Sequence, residues 1–199
     1  MMDKIMPMNC VRQWQFQKYK TGLIPIVIIL AGFLLKLNGV NLPLYVTSIV
    51  MGLAFVSYLA VLYIFRLGSP KIPDLDQVMV SPVHGKVLSV EQVNGMVKIR
   101  IRKAFIDPIE MRCPFSLNAQ VKDLDDGIPY GEHSIQMSFG NNTPLLFHEH
   151  GMVIGSLLGL VRGSYTVTIT FSENILKGSI QVKQGDIVIA GESILAELQ

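Results

Sequence analysis

The run Leu44–Phe65, LYVTSIVMGLAFVSYLAVLYIF, is 22 residues long (65 − 43) and holds no charge. At 1.5 Å per residue, a helix of that length crosses a hydrocarbon core of about 30 Å. Upstream, Thr21–Leu35 (TGLIPIVIILAGFLL) is a second uncharged run, of 15 residues (35 − 20). Leu37 extends it, with Lys36 snorkelling toward the interface. Between the two runs, Lys36–Pro43 (KLNGVNLP) reads as a turn, because Asn38-Gly39 supplies positive φ and Pro43 suits the opening of a helix. Residues 21–65 are therefore expected to form a two-helix transmembrane hairpin. A signal peptide fits poorly: twenty residues precede the first run, no small-residue cleavage site comes after it, and a second span is directly adjacent.

Flanking charge orients the hairpin. Lys4, Arg12, Lys18 and Lys20 precede the first span, Arg66 and Lys71 lie beyond the second, and the short loop holds only Lys36. The positive-inside rule puts both ends in the cytoplasm, so residues 1–20 read as a basic cytoplasmic tail. Composition agrees with a membrane protein: of 199 residues, 50% are hydrophobic and only 16% charged, where soluble domains carry about 25% charged residues. A net charge of +2 is too small for a nucleic-acid partner. Cys10 and Cys113 form neither a disulfide framework nor a CxxC motif.

Beyond the hairpin, residues 66–79 (RLGSPKIPDLDQVM) read as a linker, and 80–199 as one small domain. Its signal is β. Met96–Phe105 (MVKIRIRKAF) alternates Val97, Ile99 and Ile101 with Lys98, Arg100 and Arg102, and Ser164–Phe171 (SYTVTITF) alternates likewise. Shorter runs, KVLSVEQV, GSIQV and DIVIAG, are punctuated by glycines. The expected class is a mainly-β domain of short strands, sandwich or barrel. Lys98, Arg100, Arg102 and Lys103 make a basic stripe suited to anionic headgroups, or a solvated strand face. His148-Glu149-His150 reads as a solvated loop, because a metal needs further ligands and His133 is the one nearby candidate; no metal site is expected. Lys122–Gly127 (KDLDDG) lacks the ligand spacing of a calcium loop.

Four blocks in order resemble the phosphatidylserine decarboxylase family. YIFRLGSPKIP and then VMVSPVHGKVLSVEQV resemble that family's FFRDPxRxxP and SPADGxV. KIRIRKAFIDPIEMRCP is similar to KISIFLSPFDVHVNR, GSLLGLVRGSYTVTITF to GERFGLIRFGSxVxVxLP, and IQVKQGDIVIAGESILAEL to VKVGDKVKAGETVIA. The resemblance covers residues 63–199. It implies a decarboxylase-like domain with barrel-sandwich-type strand units, acting on a phosphatidylserine-type membrane lipid to give the ethanolamine lipid. It further implies that the chain splits between Gly163 and Ser164, and that Ser164 becomes a pyruvoyl group, the electron sink for loss of CO₂.

The chain departs from the family where the base and its orienting carboxylate stand. His84 replaces the aspartate of SPADG, and the histidine of DVHVNR falls on Arg112, which stays protonated and is no base. The serine precedes Tyr165 where the family has threonine. Two readings are open. In one, His84 serves as the relocated base and Arg112 binds the lipid phosphate or carboxylate through its fork of donors. In the other, self-processing is lost and the protein is a catalytically inactive, membrane-anchored lipid- or protein-binding module. SPVHGKVLSV and VKQGDIVIAGESILAEL also resemble the halves of a biotinyl/lipoyl-like barrel, although the Met-Lys hairpin tip of a carrier is missing. Self-association into a homo-oligomer is left open.

Overall fold

A computed structural model describes residues 8–38, 43–66, 70–73, 77–116, 128–130, 133–140, 143–146 and 153–199. It divides into two units, one helical (Val11–Arg66) and one built on Leu67–Gln199.

The helical unit holds α1 (Met8–Leu37) from Val11 onward and α2 (Leu44–Ile64). Both are long and apolar enough to cross a membrane: the apolar stretches are Trp14–Leu37 and Tyr45–Ile64. α2 starts after Pro43, whose φ of −51° already suits a helix. The first helix begins well before the expected residue 21. No Gly or Pro interrupts residues 8–20, so the helix carries on through most of the expected tail. Lys18 lies 5.1 Å from the Trp14 ring, one turn away on the same face. The two helices approach at small residues: a Cβ added to Gly32 would sit 3.4 Å from Met51 Cγ, and one on Gly22 would sit 3.8 Å from the Tyr58 ring. Ile24, Leu53 and Val56 are each more than 60% exposed, as large apolar side chains facing lipid would be.

The second unit is a mainly-β domain with a curled half-barrel sheet. Its strands are β1 (Val78–Val80), β2 (Gly85–Val93), β3 (Met96–Lys103), β4 (Glu110–Arg112), β5 (Ile128–Tyr130), β6 (His133–Ser138), β7 (Leu145–Leu146), β8 (Leu157–Leu160), β9 (Tyr165–Ser172), β10 (Leu176–Ile180), β11 (Ile187–Val188) and β12 (Ile194–Leu198). The curled sheet has the order β11-β2-β3-β9-β6-β5, with two three-stranded sheets beside it, β1-β12-β10 and β4-β8-β7. All pairings among the described strands are antiparallel. β2 turns into β3 through Asn94 and Gly95, both at positive φ (55° and 73°), the backbone that matches the strand twist in a tight hairpin.

Alternation along β3 and β9 decides which side is core. Val97, Ile99 and Ile101 pair with Phe171, Ile169 and Val167, and all six are fully buried. Two sequence expectations shift. Val78 and Met79, assigned to the linker, are the first residues of β1, paired with Glu197 and Ala196 of β12. Lys103 does not continue the basic stripe: it is two residues beyond Ile101 and so shares its inward face, fully buried. Lys98, Arg100 and Arg102 face the other way. The His148–His150 and Lys122–Gly127 segments lie outside the described residues, and no metal-ligating cluster occurs among those described.

Candidate functional site

The segment Ser81–Gly85 (SPVHG) is a tight connection between β1 and β2. Ser81 is buried and its hydroxyl donates to Val83 O at 2.7 Å. Arg112 N donates to Pro82 O at 2.8 Å, which fastens this connection to β4. Gly85 is required by close approach rather than by φ, because an added Cβ would lie 2.5 Å from Arg102 O on β3. The result is that His84 stands over β4. Its Nε2 lies 2.8 Å from Glu110 Oε1.

Glu110 is itself buried, 1% exposed, and its second oxygen accepts from Arg112 Nη2 at 2.6 Å and from Arg112 Nε at 3.2 Å. Arg112 is equally buried, and its Nη1 donates to Gly155 O at 3.1 Å. Gly191 lets the Arg112 stem pass close: a Cβ there would sit 3.3 Å from both Arg112 Cγ and Gly155 Cα. The three side chains form a line, imidazole to carboxylate to guanidinium. A buried carboxylate needs such partners, and the bidentate fork is the geometry that supplies them. The expectation that Arg112 reaches a lipid phosphate or carboxylate is not met: at 1% exposure the side chain turns inward, and its donors go to Glu110 and Gly155 O. Glu110, which the sequence did not mark, is the carboxylate that His84 and Arg112 share.

The second half of the site is at the start of β9. Gly163 has φ +90°, a conformation natural to glycine, and nothing lies within 4 Å of where a Cβ would be. Ser164 is exposed, and its hydroxyl donates to Lys103 O at 3.1 Å. The Lys103 ammonium donates to Asp107 O at 3.0 Å, Ala104 O at 3.2 Å and Gly163 O at 3.4 Å. Burial pulls the Lys103 pKa below its usual value, partly offset by the Asp107 carboxylate. Tyr165, the residue where the family has threonine, is packed inward against Phe139, with ring centroids 6.0 Å apart. Burial, with Asp107 adding to it, drives its phenol well above the ordinary range.

The curled sheet brings the two halves to one end. Lys86 pairs with Arg102 and Tyr165 with Lys103, so His84 and Ser164 precede strands that flank β3 on either side. Their backbones are two strand spacings apart, about 10 Å. No hydrogen bond joins them: His84 is held by Glu110, and Ser164 by Lys103. Cys113, beside this line of charges, is fully buried, with its thiol on Phe115 O at 3.0 Å and its pKa pushed up to about 12 by burial. A separate open groove of about 670 Å³, lined by Ser89, Glu91, Gln92, Ser179 and Lys183 among others, includes none of these residues.

Chemically, the arrangement offers an imidazole backed by a carboxylate, an exposed hydroxyl next to the Gly163 carbonyl, and the buried Lys103 ammonium on that carbonyl. Comparison with protein-family models, with curated proteins and with solved structures finds no match to this chain.

Proposed function

We propose that this chain is a membrane-anchored, self-processing decarboxylase of the phosphatidylserine type. The observation that carries the reading is the His84–Glu110 pair, at 2.8 Å, at the sheet end that also holds Gly163-Ser164. A histidine paired with a carboxylate is what proton transfer at a serine needs. Here the two come from the SPVHG and IEMRCP segments, the same two segments that carry the aspartate and the histidine in the family the sequence resembles.

The residues fit the formation of a pyruvoyl group. Ser164 attacks the Gly163 carbonyl, with His84 taking the hydroxyl proton after a movement that brings the imidazole to it. Glu110 stabilises the imidazolium that results, and Arg112 holds Glu110 in place. β-Elimination of the resulting ester releases Gly163 as a new C-terminal carboxylate and leaves dehydroalanine at position 164; water then hydrolyses its imine tautomer to the pyruvoyl group, and the former Ser164 nitrogen leaves as ammonia. Once formed, that group supplies an electron sink for decarboxylation of an amine-bearing lipid.

A lipid substrate suits the surroundings. The turn 104–107, closed by Ala104 N on Asp107 Oδ2 at 2.7 Å, presents Phe105 and Ile106, 64% and 65% exposed, at its tip next to Ser164. Arg102 and Arg162, also exposed, add positive charge for phosphate or carboxylate. A hairpin anchored in the bilayer keeps the enzyme on the membrane that carries such a substrate.

One observation favours the inactive reading: the Ser164 hydroxyl rests on Lys103 O instead of on His84. Intact mass spectrometry of the purified protein separates the two. An active chain yields a C-terminal fragment of 36 residues (199 − 163) with a blocked, hydrazine-reactive start, and Ser164→Ala does not. A single full-length species in the wild type defeats the decarboxylase reading and leaves a lipid-associated module.

A further inference from the structure

Among the described residues, Lys103 touches both partners of the Gly163-Ser164 bond. Its backbone oxygen accepts from the Ser164 hydroxyl at 3.1 Å, and its ammonium donates to Gly163 O at 3.4 Å. We infer that Lys103 is a catalytic residue of self-processing, whose ammonium stabilises the negative charge that develops on Gly163 O when Ser164 attacks. The inference rests on the self-cleavage proposed above and adds a residue to it.

The charge balance of the step defines the role. As the Ser164 Oγ–Gly163 C bond forms, the carbonyl π electrons move onto Gly163 O. As the Gly163 C–Ser164 N bond breaks, they return, and the hydroxyl proton ends on the freed amine. No redox partner is needed. The passing oxyanion is where a fixed positive donor helps most, since the charge exists only in the transition state and adjoining intermediate. Lys103 is placed for that. An ammonium has three N–H donors, and Lys103 meets three carbonyls, of Ala104, Asp107 and Gly163. Two of these lie in the turn immediately after Lys103 and fix the side chain. The third, 60 residues away in sequence, is the reacting carbonyl and has the longest contact, one that shortens when the acceptor becomes anionic. Burial of the side chain keeps water from screening the interaction. Gly163, open on the side where a Cβ would stand, leaves space for the carbonyl carbon to become tetrahedral.

A lysine that only tied down the 104–107 turn would affect stability and leave cleavage chemistry alone. The test tracks the 36-residue fragment by mass after synthesis of the full chain into phosphatidylglycerol-containing nanodiscs, for wild type, Lys103→Met and Lys103→Arg. Lys103→Met, which keeps length and removes charge, is expected to slow cleavage by about 10²–10³-fold, the usual cost of one lost oxyanion donor. Lys103→Arg is expected to recover at least a tenth of the wild-type rate. The wild-type rate should fall at alkaline pH as Lys103 deprotonates, and Lys103→Arg should lose that fall because guanidinium stays charged. Cleavage of Lys103→Met at the wild-type rate, in a wild type that does cleave, overturns the role of Lys103 and leaves self-processing standing. A wild type that never cleaves overturns both. Should Lys103→Met fail to fold by circular dichroism, the arginine variant and its pH profile decide: an alkaline fall that persists with arginine sinks the assignment.

Discussion

His84 Nε2 and Glu110 Oε1 meet at 2.8 Å, joining a loop residue to a buried carboxylate 26 positions further along the chain. Glu110 carries this contact with one oxygen and Arg112 with the other. An imidazole, a carboxylate and a guanidinium thus share one small volume, and each depends on the carboxylate in the middle.

That dependence predicts a non-additive stability pattern. Glu110→Ala strands the Arg112 guanidinium in the interior, and Arg112→Ala strands the carboxylate; each should cost about 3–5 kcal/mol. Glu110→Gln combined with Arg112→Met removes both charges at similar volume and should lose much less than the sum of the two alanine changes. Denaturant unfolding of the detergent-solubilised chain measures this. Additive losses would show that the two charges are not coupled as the 2.6 Å contact requires.

For His84, whose side chain is 17% exposed, the effect to read is the cleavage rate of the folded chain. His84→Ala should slow release of the 36-residue fragment by about 10²–10⁴-fold, the range for loss of a general base. Glu110→Gln, which keeps the shape and removes the charge that supports an imidazolium, should slow it less. Fragment formation at an unchanged rate in His84→Ala removes this residue from the mechanism.

Cys113 bears on how topology is measured. Fully buried, with a pKa of about 12, it is almost entirely thiol at neutral pH and should resist maleimides until the domain is unfolded. A hairpin topology is therefore tested in a Cys113→Ala background, with Cys10 and a new cysteine in place of exposed Gln184. Both should label from the same side of oriented vesicles. Labelling from opposite sides would replace the hairpin with a single span.

The Lys103 environment predicts how stability changes with pH. Its folded pKa lies below the 10.5 of a free lysine, so at pH values between the two the unfolded chain binds more protons than the folded one. Stability contributed by this group then rises with pH across that window and is lost as pH falls through the folded pKa. Lys103→Met should flatten the rise. Melting temperatures of both proteins from about pH 8 to about pH 10.5, at fixed ionic strength, provide the comparison; parallel curves would place the titrating group elsewhere.

Much of this architecture is written in local pattern. A span must be apolar all round, so Leu44–Phe65 announces itself by length alone, and the structure makes it α2 almost residue for residue. β3 and β9 are legible because a strand with one buried face repeats every second residue, as Val97, Ile99 and Ile101 do. The same rule, carried one step further, would have turned Lys103 inward; grouping it with its basic neighbours hid that. The start of α1 at Met8 was less visible, because residues 8–20 are polar enough to look like a tail and only the absence of breakers marks them as helix.

The sequence alone determined the two apolar helices, the β character of the C-terminal domain, and the Gly163-Ser164 pair as a place to look. Tertiary structure decided which groups stand together there. Glu110 has no sequence neighbour that marks it as the partner of His84, and Lys103 reaches Gly163 across 60 residues. Secondary structure leaves a periodic trace because each residue's environment repeats along its own element. A site joined by side chains from different strands has no period, and its pairings exist only once the sheet has curled.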